Sequence, residues 1–394
     1  MKRFYEQSVA ERRALLLEEG LLDADEWVTL AGELNEDTAI LDLMSENVIG
    51  AHRLPMGLLR SLVVDGMAHC VPMVTEEPSV VAAANRVSRL FNAAGGVSTV
   101  CSKPSTMVQV LFTMDREEAS EAARYIVDHE EQLIALANAQ DPVLIGLGGG
   151  AYHLRAMTRR IRCGDFCTDD YMVELALDVY TVDAMGANIV NAMGEALKAE
   201  LEKAFSCFRS FQPGIAIVSN DGRGRSVRGT VYLSRAWLET YTHMDGSEFG
   251  KRIKRASDYA LCCSERAVTH NKGILNGIEA AAIAFGQDTR ALHAAAWCGA
   301  YRCGEIQPLA IWQWDETDQI LKGQIELPLV VGFAGKFRKI PWVNAAFKLA
   351  RIERYDRLCG VLAAVGLAQN LGALWALVTE GIQSGHMRLH AKKV

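Results

Sequence analysis

The spacing of apolar residues changes several times along the chain, and each change marks a predicted element. In about the first 45 residues, ERRALLLEEGLL and WVTLAGEL repeat apolar residues at helical spacing and predict helices. LLRSLVVDGMAHCVPMV alternates over a shorter period and predicts two strands joined by a turn at Asp65-Gly66. EEPSVVAAANRVSRLFNAAGG then predicts a helix, because Pro78 suits its first turn and Gly95-Gly96 its exit. Glu76 and Glu77 suit its positive end, so the helix start places carboxylates at a loop edge.

From about Ser105 the units become shorter and alternate in type. VQVLFTM predicts a strand, EEASEAARYIVDHEEQLIALANA a helix and PVLIGL a strand. DYMVELALDVY predicts another strand, DAMGANIVNAMGEALKAELEKAF a helix and GIAIVSN a final strand. This order predicts a small α+β domain inserted into the first one. The last third is rich in Ala, Leu and Gly and mostly helical, with a strand pair in PLAIWQWDETDQILKGQIELPLVVGFAG.

Composition narrows the class of protein. With 394 residues, 50% of them hydrophobic and 23% charged, the chain is long enough for two or three globular units and has no signature of disorder. A net charge of -7 argues against a nucleic-acid binder that neutralises phosphates, although the basic run 159–162 still allows a small anionic ligand.

The cysteines and the N-terminus indicate the compartment. Ten cysteines are scattered without a regular framework, which favours free thiols in a reducing environment. Cys163 and Cys167 have no second pair at metal-ligand spacing, so we expect no metal site. The N-terminus lacks the features of a signal peptide, and no apolar run approaches the ~20 residues that span a bilayer. We therefore expect a cytoplasmic protein without a membrane anchor.

Two glycine-containing segments are candidates for dinucleotide binding. In VLIGLGGGA, Gly146, Gly148 and Ala151 fit the GxGxxG/A fingerprint after a predicted strand. The following AYHLRAMTRRIRCGD is a poor crossover helix, however, and no parallel βαβ series surrounds it, so a glycine turn of another architecture is favoured over a Rossmann site. In DAMGAN, Asp183 is a good N-cap, and Gly186 would let a pyrophosphate approach the positive end of a helix. Alternatively, Gly186 only permits close helix packing.

The C-terminal half holds candidate acid-base groups. Lys272 lies in an apolar, small-residue helical stretch, and Asp288 follows sixteen residues later. The two residues fit a structural ion pair or a catalytic one equally well. His386 and His390 stand at i,i+4 spacing after Gly385. The glutamate of a zinc-binding HEXXH motif is absent, so a mobile acid-base histidine behind a glycine hinge is favoured over a zinc site.

Taken together and in this order, these segments resemble the bacterial-type (class II) 3-hydroxy-3-methylglutaryl-CoA (HMG-CoA) reductases. The likeness runs from about residue 40 to the C-terminus. It is carried by SENVIG (45–50), EEPSVVAAA (76–84), GLGGGA (146–151), DAMGAN (183–188), RAVTHNKGILNGI (266–278), GQD (286–288), ELPLVVG (326–332), AAVGLAQNL (363–371) and EGIQSGHMRLHA (380–391).

The resemblance implies a set of site residues. The catalytic residues would be Glu77, Lys272, Asp288 and His386, and the contacts to the HMG group Ser79, Arg266 and Asn276. The cofactor residues would be Asp183, Met185, Gly186, Asn188 and His153. It also implies an oxidoreductase of the mevalonate pathway of isoprenoid biosynthesis, an obligate homodimer with its active site at the subunit interface, and a contribution from ENVIG to that contact.

The implied reaction interconverts HMG-CoA with mevalonate and CoA through mevaldehyde, in two hydride transfers. In this scheme Lys272 stabilises the oxyanion, and Glu77, with its pKa raised by burial and by Asp288, donates a proton to the aldehyde. Asp288 keeps Lys272 charged, and His386 protonates the departing CoA thiolate. The alternatives are a Rossmann-type hydroxy-acid dehydrogenase, which rests on the glycine run alone, and a non-catalytic CoA-ester-binding relative, which should lack one of the four catalytic groups.

The implied fold is α/β in the broad sense, with a large, mostly helical HMG-CoA-binding domain at 1–104 and 220–345. A small ferredoxin-like, non-Rossmann NAD(P)-binding domain at 105–219 interrupts it, and a short C-terminal helical flap at 346–394 follows.

Three features depart from the family pattern. Tyr152 and His153 stand where relatives that prefer NADH have an acidic residue, so NADPH and NADH both remain candidate cofactors. GKFRKIPW replaces a glycine-rich, His-Pro segment. The chain ends at Val394, so we expect the flap to be short.

Overall fold

The computed structural model describes residues 6–19, 38–164, 166–379 and 381, with positions 16, 38, 163, 166 and 167 described by their backbone alone. Residues 1–55 and residues 56–394 form separate compact units. In the first unit, α1 is Val9–Glu18 and α2 is Thr38–Met44. Helix α1 begins with a capping box in which the Ser8 side chain accepts from the Glu11 amide, as expected for an N-terminal Ser-x-x-Glu.

In the described part of the first unit, hydrogen bonds join the ENVIG segment to α1. The guanidinium of Arg12 donates to Asp42 at 2.5 Å and to the carbonyl of Val48 at 3.1 Å, and Arg13 donates to the carbonyl of Ile49. The prediction of helices near the N-terminus is confirmed for α1, whereas WVTLAGEL lies outside the described residues.

The second unit contains two hydrophobic cores, each built around an antiparallel four-stranded sheet. Its helices are α3 (Pro78–Ala93), α4 (Arg116–Asp128), α5 (Glu130–Asn138), α6 (Pro142–Gly146), α7 (Ala187–Phe205), α8 (Arg235–Thr242), α9 (Gly246–Cys262), α10 (Ser264–Ala284), α11 (Thr289–Ala300), α12 (Pro341–Ala350) and α13 (Tyr355–Val378). Its strands are β1 (Met56–Val64), β2 (Met67–Val74), β3 (Ser98–Cys101), β4 (Ser105–Met114), β5 (Gly150–Cys163), β6 (Phe166–Tyr180), β7 (Gln212–Val218), β8 (Ser226–Ser234), β9 (Tyr301–Arg302), β10 (Glu305–Ile306), β11 (Ala310–Asp315) and β12 (Ile320–Pro328).

The larger core lies between the sheet β11-β12-β8-β3, the hairpin β1-β2 and the helices α3, α10 and α13. Trp312, Phe91 and Phe285 are fully buried in it. The predicted strands on both sides of Asp65-Gly66 are confirmed as the antiparallel pair β1-β2. The predicted helix behind them is confirmed as α3, with Pro78 in its first turn.

Helix α13 corrects one expectation from the sequence. It is 24 residues long with a mean hydropathy of 1.8, so by length and composition an apolar segment able to span a bilayer does exist among the described residues. However, 72% of its most apolar window is buried inside the protein. Such burial is typical of a core helix. The domain boundary predicted at residue 346 assigned α13 to the flap, whereas the helix packs in the larger core.

The smaller core belongs to the sheet β5-β6-β4-β7, in which each neighbouring pair of strands is antiparallel. Helices α4, α5 and α7 supply its buried apolar side chains, among them Ile126, Leu133 and Leu197. A doubly wound parallel sheet around Gly146 is therefore excluded, and the Rossmann-type alternative is wrong.

Two elements of this region differ from the sequence prediction. PVLIGL is not a strand: it forms the short helix α6, because Asp141 caps its start by accepting from the Leu144 amide at 2.8 Å and Pro142 fits its first turn. The strand lies after the glycines instead, where AYHLRAMTRRIRC belongs to β5 and pairs along β6. The predicted order of strand, helix, strand, strand, helix, strand survives, but its second strand is displaced toward the C-terminus.

Candidate active site

Three helices from distant parts of the sequence enclose a cavity of about 560 Å³. The start of α3, the middle of α10 and the C-terminal half of α13 line it. Five of the predicted catalytic and substrate residues lie around this cavity: Glu77, Ser79, Arg266, Lys272 and Asn276. The fold therefore brings together side chains that are nearly 200 positions apart in the sequence.

Glu77 is placed by the start of α3. It is the N-cap residue, and its Oε1 accepts from the amide of Ser79 at 3.1 Å. A carboxylate is favourable there because the unpaired amides of the first turn give that end of a helix a partial positive charge. The sequence prediction of carboxylates at this helix start is thus confirmed for Glu77.

Helix α10 supplies the cationic wall. Arg266, Thr269, Gly273 and Asn276 recur at helical spacing along one face, and Lys272 stands beside them. Lys272 is exposed, so the interpretation of a lysine buried in an ion pair is wrong. The alanines Ala280, Ala281 and Ala282 of the same helix are buried in the larger core.

Asp288 is placed away from this cavity. It caps the start of α11 by accepting from the amides of Arg290 at 3.0 Å and Ala291 at 3.2 Å. Its carboxylate also pairs with the guanidinium of Arg290 at 3.0 Å, and this hydrogen bond holds the pKa of Asp288 below its usual value. Among the described residues, no ion pair joins Asp288 to Lys272. His386 and His390 lie outside the described residues.

The sequence reasoning did not single out several side chains that line the cavity, including Arg86, His270 and Asn370. Arg86 lies seven residues after Ser79 on the same face of α3, and its guanidinium stacks 3.8 Å from the ring centroid of Trp375. The helical period counted from Ser79 would have found Arg86.

His270 belongs to a buried polar network behind the cavity. Its Nε2 lies 3.0 Å from the carbonyl of Ala310 and 3.0 Å from Nδ2 of Asn370. The Asn370 Oδ1 accepts from Trp312 Nε1 at 2.8 Å, which fixes the orientation of the amide. Burial, and secondarily the charge of Arg266, lower the pKa of His270 from 6.5 to about 4, so this imidazole is neutral at physiological pH.

The predicted N-cap role of Asp183 is wrong. Gly186 occupies the N-cap position of α7 with φ 88°, so this position provides no side-chain capping hydrogen bond. Asp183 instead ties the loop to the larger core: its Oδ1 accepts from the amide of Tyr355 at 2.8 Å, and its carbonyl accepts from Phe333 and Ala334. A Cβ at Gly186 would lie 2.3 Å from Thr181, so this position requires glycine for both conformation and space.

The glycine run and DAMGAN lie at the same end of the smaller sheet. Gly150 pairs with Tyr180, the last residue of β6, and DAMGAN begins three residues after Tyr180. A Cβ at Gly149 would lie 2.7 Å from the carbonyl of Tyr180, so the turn packs closely on this strand end.

The other predicted cofactor residues are near this end of the sheet. Asn188 is exposed in the first turn of α7, and His153 is exposed on β5 opposite Asp178. The main chain of Met185 faces inward, where its carbonyl accepts from Arg225 at 2.8 Å. Two positive-φ glycines, Gly148 and Gly150, leave the turn without side chains, as the approach of a bulky anionic ligand requires.

No group of three or more His, Cys, Asp or Glu side chains in the described ranges could hold a metal ion. The side chains of Cys163 and Cys167 are not among those described.

The protein thus has a mixed α/β fold, with a cavity lined by Glu77, Arg266 and Lys272 in its larger core and a glycine turn at one end of its smaller sheet. A model of the family "Hydroxymethylglutaryl-coenzyme A reductase" matches residues 8–391, and the chain belongs to this family.

Individual relatives agree with this assignment. The 3-hydroxy-3-methylglutaryl-coenzyme A reductase of Archaeoglobus fulgidus is 36% identical over 99% of this chain and 85% of its own length. A probable enzyme of the same name from Borreliella burgdorferi is 31% identical over 100% of this chain and 86% of its own length. The class II enzyme of Streptococcus pneumoniae, solved bound to NADPH in open conformations, superposes with a TM-score of 0.80 at 34% identity, covering 95% of this chain and 99% of that one.

Proposed function

We propose that the chain is a reductase that interconverts HMG-CoA with mevalonate and CoA, using NADPH or NADH. The observation that supports this most directly is the cavity in which Glu77 and Lys272 stand beside Ser79, Arg266 and Asn276. A substrate with a carboxylate at one end and a thioester carbonyl needs a cation for each group, and Arg266 and Lys272 provide them. The family relationship and the NADPH-bound relative support the same conclusion.

In the proposed chemistry, the cation Lys272 and the acid Glu77 have different roles. Lys272, exposed to the cavity and free to reach a carbonyl oxygen, stabilises the oxyanion that forms at each reduction, a contribution on the order of 10² to 10³ in rate. Glu77 donates the proton that completes the alcohol in the aldehyde step, about 10² to 10⁴ in rate. The nicotinamide cofactor supplies the two hydrides. Ser79 and Asn276 hydrogen-bond the polar groups of the substrate and hold it in place.

Two further residues, Asp288 and His386, would complete the catalytic group. His386 would belong to a C-terminal flap that follows Val378, because α13 is part of the larger core. Asp288 contacts Arg290 within its own chain. We propose that a homodimer completes the site, with Asp288 approaching the Lys272 of the other subunit and ENVIG contributing to the contact.

Subunit complementation tests this arrangement. Lys272→Ala and Asp288→Ala homodimers should both be inactive. If the residues act across the interface, mixing the unfolded variants and refolding them should restore about a quarter of the wild-type activity, because half of the dimers would be mixed and each would hold one intact site. No recovery in refolded mixtures whose dimers are shown to have exchanged would place both residues in the same subunit.

We further propose that residues 105–219 form a ferredoxin-like cofactor domain, in which the glycine run and DAMGAN hold the diphosphate of the dinucleotide. The strand order β5-β6-β4-β7 and the βαββαβ connectivity support the fold, and the open surroundings of Gly148, which has a positive φ, support the site. The larger core, including α13, would bind HMG-CoA, because the cavity with Glu77 and Lys272 lies there. We place the enzyme in the cytoplasm, since the apolar helix α13 is occupied by core packing.

A spectrophotometric assay decides the function. Purified protein should oxidise NADPH or NADH in the presence of HMG-CoA and reduce the oxidised cofactors in the presence of mevalonate and CoA. Binding of HMG-CoA without turnover of either cofactor in either direction would instead support the non-catalytic CoA-ester-binding alternative.

A further inference from the structure

Arg225 is a buried cation that neither the fold prediction nor the proposed chemistry explains. It ends the short 3₁₀ segment Gly222–Arg225 and is 1% exposed. Its guanidinium lies 5.0 Å from the ring centroid of Tyr355, and none of the ion pairs among the described residues involves it. A guanidinium keeps its charge at physiological pH, and burying it without a carboxylate is costly unless hydrogen bonds replace the lost water.

Carbonyl and hydroxyl oxygens replace that water at Nη1 and Nη2, whereas the buried Nε has no hydrogen-bond partner among the described residues. Nη1 donates to the carbonyl of Met185 at 2.8 Å and to the hydroxyls of Thr106 at 2.8 Å and Thr181 at 3.3 Å. Nη2 donates to the carbonyls of Ala184 at 3.0 Å and Val331 at 2.9 Å. The guanidinium therefore joins the start of β4, the end of β6, the DAMGAN loop and the segment after β12.

Two of these acceptors fix the DAMGAN loop itself. The carbonyls of Ala184 and Met185 turn inward to Arg225, and in a trans peptide the N–H lies opposite the carbonyl, so the amide of Gly186 points away from the guanidinium. Gly186 is the N-cap of α7. Arg225 thus sets the direction of the first free amide of this helix and adds a positive charge behind it.

We propose that Arg225 is a positioning residue for the cofactor diphosphate, acting through the Ala184–Gly186 turn and not by direct contact. The proposal rests on the proposed function, because it requires that DAMGAN holds a dinucleotide. A fork of two nitrogens reaching two successive carbonyls is a geometry that lysine cannot reproduce, and an apolar side chain of similar length would leave five oxygens with one partner fewer.

The test compares Arg225→Met, Arg225→Lys and the control Arg228→Met. Arg228 lies three residues later, in β8, is exposed, and pairs with Glu326 at 2.9 Å, so Arg228→Met removes a nearby charge without changing a contact to the loop. Arg225→Met should weaken NADPH binding by about tenfold or more, and Arg225→Lys should give an intermediate loss. The KM for HMG-CoA should stay within about twofold of wild type in all three variants, and the control should match wild type for both ligands.

ADP-ribose, which carries the diphosphate and lacks nicotinamide, should lose inhibitory affinity in parallel with NADPH. If Arg225→Met does not fold, Arg225→Lys and Thr106→Val, which removes one acceptor, carry the same comparison. Equal losses for HMG-CoA and NADPH would show that Arg225 only braces the fold, and unchanged NADPH affinity would overturn the proposal. Absence of NADPH binding by the wild-type protein would refute the proposed function instead.

Discussion

Acid should destabilise this protein through His270, because folding removes a proton from it. The imidazole is 2% exposed, and its folded-state pKa is lowered from 6.5 to about 4, first by burial and then by the charge of Arg266. Below pH 6.5 the unfolded chain binds a proton at this residue while the folded chain does not. The free energy of unfolding therefore decreases as the pH falls toward 4, and levels off for this residue below that value.

The size of the effect follows from the two pKa values. Each pH unit between 6.5 and 4 costs about 1.4 kcal/mol for one such group, so His270 should lower the stability by about 3 kcal/mol across this range. The free energy of unfolding of a domain is typically roughly 5 to 15 kcal/mol, so this loss is a large fraction of it. His69 acts in the same direction, because burial also lowers its pKa.

The assay is urea denaturation of wild type, His270→Gln and His69→Gln at a series of pH values. Glutamine cannot titrate, so each variant should lose the contribution of its own residue to the pH dependence, whatever its stability at pH 7. His270→Gln should flatten the curve between pH 6.5 and 4 by about 3 kcal/mol relative to wild type. Parallel curves for wild type and His270→Gln would refute the assignment of a depressed pKa to His270.

Four further predictions concern the proposed sites. Lys272→Ala should reduce the rates with HMG-CoA and with mevaldehyde by about 10² or more, because an oxyanion forms in each step. By contrast, His386→Gln should impair only the HMG-CoA reaction, since mevaldehyde has no thiolate to expel; parallel losses in His386→Gln would remove it from the catalytic group. NADPH should support turnover at least as well as NADH, because His153 is exposed on β5 and cannot repel a 2′-phosphate as a carboxylate would; a preference for NADH of about a hundredfold, measured as kcat/KM, would contradict this. Gly186→Ala should destabilise the fold by about 1 to 3 kcal/mol in thermal or urea unfolding, because of the positive φ and the contact with Thr181, and wild-type stability would show that the turn can relax.

Elements with local signals were predictable from the sequence. Glu77 and Pro78 mark the start of helix α3 and Gly95 marks its end, and all three act through neighbouring residues alone. Helix α6 and strand β5 were exchanged because PVLIGL is a short apolar run that fits either structure. The decisive signal, Asp141 before Pro142, is an N-cap followed by a first-turn proline, and it outweighs the apolar composition.

Site residues were predictable from the sequence only where they belong to a motif that carries the family resemblance. Glu77 and Lys272 come from separate helices, and no property of either sequence segment shows that they share a cavity. Arg225 and Asn370 were not found, because their partners are carbonyls and rings from other parts of the chain. Asp288 forms an ion pair with its sequence neighbour Arg290, whereas the contact with Lys272 that the resemblance implies stays a prediction.

The HNKG segment of α10 shows how three adjacent polar residues separate into different roles. Successive positions on a helix are turned by about 100°, so His270 and Asn271 face the core while Lys272 faces solvent. Asn271 fixes the connection between β10 and β11, donating to the carbonyl of Gln307 at 2.9 Å and accepting from the amide of Leu309 at 2.8 Å. His270 is held by Ala310 and Asn370. The backbone that carries Lys272 is therefore anchored by two buried side chains immediately before it, while the lysine side chain itself is exposed and has the rotatable four-carbon stem of its residue type. In the proposed reaction, a cation that follows the substrate oxygen through two successive reductions needs this combination of a rigid attachment and a flexible stem.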